Sequence, residues 1–194
     1  MTNASITLAT SAVLVGVLAS GCDSAQNKPV AAARAPITVQ EVNDAQQGWC
    51  NALLSIAKAH AEGKDYQSIA TAVLSNNYNY DNGTVLFNPT LTHGAQNFRL
   101  DKEGAAAYFI GGNPKYPNDE GFALKPWVSC SYTNAGNNAG VLIEGEVAAT
   151  MGNVILIDNQ GKETTVDKFF AFKRGTDGKL RIIVHKSSLP LNPS

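Results

Sequence analysis

Thr164-Thr165-Val166-Asp167-Lys168-Phe169-Phe170-Ala171-Phe172-Lys173-Arg174-Gly175-Thr176-Asp177-Gly178-Lys179-Leu180-Arg181-Ile182-Ile183-Val184-His185-Lys186-Ser187 consists of two β-branched and aromatic runs joined by a Gly-Thr-Asp-Gly turn. A turn that short joins antiparallel neighbours, because a parallel pair needs a crossover of about a dozen residues or more. Upstream, further runs of this texture cover 122–132, 140–151 and 154–157. They are set apart by Asn-Ala-Gly-Asn-Asn (134–138), Met-Gly-Asn (151–153) and Asp-Asn-Gln-Gly (158–161). The second half of the chain therefore reads as an antiparallel meander.

The first half is helical. Thr38-Val39-Gln40-Glu41 is a capping box, and Val42, Ala45, Trp49, Leu53 and Ile56 then recur at helical spacing to about His60, before Gly63 stops the run. Asp65 opens a second helix with Tyr66, Ile69, Val73 and Leu74 inward. Residues 76–82 are turn chemistry, 84–87 a short strand ended by Pro89, and 101–110 a third helix closed by Gly111-Gly112. Helices collected early and an antiparallel sheet collected late make an α+β domain whose curved sheet wraps the helices. The order of elements resembles the cystatin-like or nuclear transport factor 2-like cone, a fold that hosts many functions.

The chain has 194 residues, 44% of them hydrophobic, which is material for one domain with a sizeable core. A net charge of -1 gives no footprint for nucleic acid or an anionic membrane. Residues 1–22 hold no charge, and the apolar run 6–18 leads to Ala19-Ser20-Gly21-Cys22. That reads as a signal peptide over 1–21, too short for a confident membrane span. Its small-small-Cys ending resembles the lipobox of bacterial lipoproteins, which implies a lipid on Cys22 and an exported chain anchored at the cell envelope, facing the periplasm. Membrane contact would run through that lipid alone. On that reading residues 22–37 are the lipidated cysteine and a flexible tether, and 38–194 the single α+β domain. Cys50 and Cys130 remain, and in an exported chain they either pair or stay as small buried apolar residues.

Period-2 alternation along the last strand places Ile183, His185 and Ser187 on one face, so an imidazole and a hydroxyl follow an aliphatic group inward. Such groups are costly to bury without partners, which makes this strand end either a satisfied core network or a binding site. Three further segments are polar or aromatic in the same manner: Leu86-Phe87-Asn88-Pro89-Thr90, Ala107-Tyr108-Phe109-Ile110-Gly111-Gly112 and Gly121-Phe122-Ala123-Leu124-Lys125-Pro126-Trp127. Each residue has an ordinary reading too. Thr90 could close a turn after Pro89, Tyr108 could be core with a satisfied hydroxyl, Ser187 and Ser188 could end the strand, and His185 could be a core imidazole.

Together with His185-Lys186-Ser187-Ser188-Leu189-Pro190, these segments resemble, in order and approximate spacing, the iota class of carbonic anhydrases over roughly 42–190. The resemblance implies reversible hydration of carbon dioxide to bicarbonate at the mouth of the cone. Thr90, Tyr108, Ser187 and His185 are its catalytic candidates, and Phe87, Phe109, Trp127 and Ser188 its substrate-binding ones. Neutral hydroxyls suit a small planar anion rich in acceptors, and aromatic neighbours suit carbon dioxide. His185 is the candidate proton shuttle by intrinsic pKa. The family's terminal motif carries two histidines before the serines, and Lys186 here replaces the second. Alternation points Lys186 away from His185 and Ser187, at the rim or outside.

His60, His93 and His185 have no zinc-ligand spacing, so no metal site and no cofactor are expected, with zinc left as the alternative. The expected partners are carbon dioxide and bicarbonate, plus a second copy in a homodimer built on the outer sheet face, an expectation by analogy of fold. The competing reading is a non-catalytic module of the same fold, holding a small ligand or oligomerising as the kinase association domain it resembles does. No nucleophile elbow or phosphate loop supports a generic hydrolase.

Overall fold

In the computed structural model, which describes Met1 and residues 35–191, the Thr38 capping box closes. Thr38 Oγ1 accepts from the Glu41 amide at 3.2 Å, and Glu41 Oε2 accepts from the Thr38 amide at 2.8 Å. Helix α1 (Val39–Ala61) starts there, followed by α2 (Tyr66–Asn77), capped by Asp65, and by a short strand β1 (Leu86–Asn88). Then come α3 (Lys102–Ile110), capped by Asp101, and five strands: β2 (Trp127–Asn134), β3 (Val141–Glu144), β4 (Val147–Asp158), β5 (Glu163–Arg174) and β6 (Leu180–Ser188). The expected signal peptide, the Cys22 anchor and most of the tether lie outside the described residues.

The sheet runs β1-β6-β5-β4-β2, with β3 on the free half of β4. Its strands pair antiparallel except β1, which lies parallel to β6 with Phe87 opposite His185. The α+β reading and its late sheet hold. α1 lies across the sheet with Trp49, Leu53 and Ile56 buried, and Cys50 forms a disulfide with Cys130 of β2, 80 residues away. Arg174, at the end of β5, holds the start of α1 through Glu41 at 2.7 Å and 3.0 Å.

Three details depart from the sequence reading. Residues 122–132 are not one strand: Phe122–Leu124 is a short 3-10 turn, and the strand begins at Trp127, after Pro126, which has no amide to give a ladder. The turn placed at Met151-Gly152-Asn153 does not exist, because β4 runs through it and the hairpin lies at Gly145-Glu146, where Gly145 takes φ +55°. Gly152 serves close strand approach instead: a Cβ there would sit 2.1 Å from the Thr133 carbonyl oxygen across the β2 pairing. Finally, β6 carries a bulge, since Ala171 pairs with Val184 but Phe172 with Ile182. Ile183 is the extra residue, so Ile182, and not Ile183, shares the inner face with His185 and Ser187.

Candidate functional site

On β5, alternation sends Val166, Lys168, Phe170 and Phe172 inward, and on β6 the bulge sends Ile182, His185 and Ser187 to the same interior. His185 is 1% exposed, and both ring nitrogens are engaged. Nδ1 lies 2.8 Å from Tyr78 Oη, which accepts from Trp49 Nε1 at 2.9 Å. Nε2 lies 2.9 Å from Lys168 Nζ and 3.5 Å from Ser187 Oγ. Phe87 stacks on the imidazole with ring centres 4.3 Å apart, and Phe170 meets it edge-on at 4.8 Å.

Tyr108 meets the Phe87 ring edge-on at 5.5 Å. Burial pushes the Tyr108 hydroxyl well above the usual phenol range, partly offset by hydrogen bonding to the Thr90 side chain and to the backbone of Thr90 and Leu91. It is a neutral donor and acceptor at physiological pH. The parallel register Asn88 to Lys186 leads the chain into Pro89-Thr90 at the Ser187-Ser188 end of β6. A cleft of about 230 Å³, lined by Leu91, Tyr108, Asn118, Asp119 and Lys125 among others, reaches Tyr108 from outside. Its wall is held by the buried pair of Arg99 with Asp119, at 2.9 Å.

The predicted residues thus meet at Phe87, which contacts Tyr108 through one ring pair and His185 through another, with Thr90 bonded to Tyr108 and Ser187 beside His185. Phe109 stacks on Phe87 at 5.7 Å and belongs to the core behind it. Trp127 is one ring further out, reached from Tyr108 through Phe122 at 5.5 Å and then 5.7 Å. It borders a different cleft, against the end of α1, so the structure does not bring it to the hydroxyls. Ser188 pairs with Asp167 and is half-buried beside, not with, the inward Ser187. Lys186 is exposed and donates to the Ser187 carbonyl at 2.8 Å.

Burial overturns the argument that made His185 a proton shuttle. Desolvation, with the charges of Lys168 and Lys186, holds its imidazole well below the ordinary histidine range. It stays neutral and does not reach solvent. Sequence reasoning missed Trp49 and Tyr78 as its partners, and above all Lys168. That lysine is 5% exposed, and burial, helped by Lys186, brings its amine down to about 7. The available signal was its place in the inward series Val166, Lys168, Phe170.

His60 bonds the Leu124 carbonyl at 3.1 Å from the end of α1, and His93 precedes the Gly94–Gln96 turn. Among the described residues, no three His, Cys, Asp or Glu side chains gather where they could hold a metal.

Residues 40–189 match the family described as metal-independent carbonic anhydrase. A protein of Nostoc sp. with that description is 46% identical over 156 residues, covering 79% of this chain and 74% of its own. The crystal structure of a cyanobacterial iota-carbonic anhydrase complexed with bicarbonate is similar at TM-score 0.78 and 42% identity, over 81% of this chain and 95% of that one. A protein of Xanthomonas campestris described as a calcium/calmodulin-dependent protein kinase II association domain shares the fold alone, at 19% identity and TM-score 0.50, over 83% of this chain and 98% of its own.

Lys168 makes stability depend on pH with a definite sign. Its amine titrates near 7 when folded and at 10.5 when unfolded, so between those values the unfolded chain binds the extra proton and stability rises with pH. Each unit of that window is worth about 1.4 kcal/mol. Lys168→Met is expected to raise the melting temperature at neutral pH by several degrees, with the gap closing as the pH approaches 10.5. Calorimetry over a pH series that shows a constant gap, or none, contradicts this.

Proposed function

Because this chain belongs to the metal-independent carbonic anhydrases, we propose that it interconverts carbon dioxide and bicarbonate, with the Thr90, Tyr108 and Ser187 hydroxyls holding the reacting molecules. The observation that carries the reading is the likeness, over nearly the whole domain, to the relative whose crystal structure contains bicarbonate. The hydroxyl groups and the cleft at Tyr108 suit that substrate. Phe87, in contact with both Tyr108 and His185, offers an apolar wall for carbon dioxide.

No metal enters this mechanism, so the zinc alternative is set aside. Without a Lewis acid, rate enhancement comes from positioning and from hydrogen bonds aimed at the oxygens that gain charge as the carbon becomes trigonal. A low-dielectric interior strengthens those bonds. Tyr108 can donate because burial keeps it protonated, and Thr90 orients it. Ser187 is inward and held beside the His185–Lys168 pair, and His185 acts as a positioning residue for it.

The same reading extends to the cell envelope. The catalytic unit is 38–194, tethered through 22–37 to a lipid on Cys22 after removal of 1–21, and the Cys50–Cys130 disulfide suits an oxidising compartment. Exposed Val128, Leu142 and Met151 on the sheet suit a homodimer contact.

Stopped-flow assay of residues 38–194 is expected to show hydration above the buffer rate, unchanged by chelator. Thr90→Ala, Tyr108→Phe and Ser187→Ala should each lower kcat/KM by about 10- to 100-fold, the loss of one hydrogen bond of about 1–3 kcal/mol, with unaltered circular dichroism. An inactive wild type, or three variants at the wild-type rate, defeats the assignment. Cys22→Ser should move the full-length protein from the membrane fraction to the soluble one. Met151→Asp should convert a sedimenting dimer to monomer, and a wild type that sediments as monomer removes the dimer.

A further inference from the structure

Hydration releases one proton, and the hydroxyls of Thr90, Tyr108 and Ser187 are too weakly basic to keep it at neutral pH. Lys168 is placed to do so. It stands opposite Ser187 in the β5–β6 register, on the same inward face, with Nζ 2.9 Å from His185 Nε2.

Hydrogen-bond accounting around His185 sets the charge of that amine. Trp49 offers only a donor, so Tyr78 Oη accepts from it, and the arrangement that leaves no buried hydroxyl proton unpaired sends the Tyr78 proton to His185 Nδ1. The neutral ring then carries its proton on Nε2, and Nε2–H points at Lys168 Nζ. An ammonium has no lone pair to accept that bond, whereas a neutral amine does. That arrangement calls for the neutral form.

The surroundings agree from every side. The Trp49 ring of α1 lies 4.7 Å from Nζ and the Phe170 ring of β5 5.6 Å from it. β6 presents neutral His185, Ser187 and, outward, the cation of Lys186, while Tyr132 of β2 bonds the Lys168 carbonyl and Thr150 of β4 bonds Tyr132. None of these groups is a carboxylate. The neighbouring Asp167 is turned outward to Asn153. Two aromatic faces can receive a cation there, but its counter-ion has to come from the pocket.

We propose that Lys168 is the proton acceptor of the reaction, a neutral amine when carbon dioxide is bound and an ammonium when bicarbonate is bound. This rests on the hydration activity proposed above. The water oxygen bonds to the carbon of carbon dioxide, and one C=O electron pair withdraws onto oxygen. Ser187 takes the water's proton as it gives its own to the Nζ lone pair. Carbon dioxide, water and amine thus become bicarbonate and ammonium, an ion pair of zero net charge. His185 Nε2–H, losing its acceptor, turns to Ser187 Oγ at 3.5 Å. Bicarbonate leaves, and the ammonium proton passes to solvent buffer.

The test measures hydration against pH for the wild type, Lys168→Met and Lys168→Gln, together with the NMR titration of the Lys168 Cε and Nζ resonances in the wild type with and without bicarbonate. Expected for the wild type is a kcat/KM that rises about tenfold per pH unit below its midpoint and then levels. Both variants should lose the rise and run about 100-fold slower at the plateau, while remaining folded. The Lys168 resonances should titrate near neutrality, and bicarbonate should raise the midpoint. A wild type without hydration activity overturns the functional assignment and this proposal with it. An active wild type whose slope and midpoint survive in the variants overturns this proposal alone. If both variants unfold, a wild-type Lys168 that titrates in the ordinary lysine range overturns it. So does a carbamate on Lys168 formed from labelled bicarbonate, which would show the amine attacking carbon rather than taking a proton.

Discussion

The interior depends on satisfying one buried imidazole. His185 sits at the centre of the cone with no access to water, and an unpaired polar group there would cost on the order of 2–7 kcal/mol. Its partners come from three other parts of the chain: Trp49 on α1, acting through Tyr78 just beyond α2, and Lys168 on β5, all converging on β6. The bonds therefore fix where α1 crosses the sheet and how the segment after α2 enters it. Phe87 on the parallel strand β1 is stacked on the same ring, so the position of Thr90, three residues on, is inherited from that stack.

A metal-free hydration site has to manage charge with few charged groups, and this interior does. Its hydroxyls stay neutral because burial raises them, and its histidine stays neutral because burial lowers it. The buried pair of Arg99 with Asp119 shapes the approach to Tyr108, and the Asp119 charge helps keep that hydroxyl protonated. Lys168 lies buried opposite the strand end that carries Ser187, with no carboxylate partner among the described residues. An anion formed there meets a group able to become its counter-charge.

Much of the fold was legible because its signals are local. A capping box, an Asp N-cap and a Gly-Gly stop act over four residues, and the helices begin and end beside them. The strand errors came from features that need a second chain segment. Met-Gly-Asn reads as a turn by composition, yet Gly152 is there to let Thr133 approach across the sheet. The bulge at Ile183 exists only relative to β5, and it reassigned the inward aliphatic residue from Ile183 to Ile182 while leaving His185 and Ser187 inward.

Periodicity, caps and terminal motifs are written in neighbouring positions, so the class of fold, the helix limits and the residues through which the chain resembles its family can be read along the chain. Tertiary structure alone decided which of those residues meet. It set Tyr108 and His185 against Phe87, moved Trp127 behind Phe122, closed His185 off from solvent and brought Lys168 to it as a partner. The physical reason is that burial and hydrogen-bond partnership set a side chain's charge. Both arise from contacts between residues such as Tyr78 and His185, 107 positions apart, on which local sequence is silent.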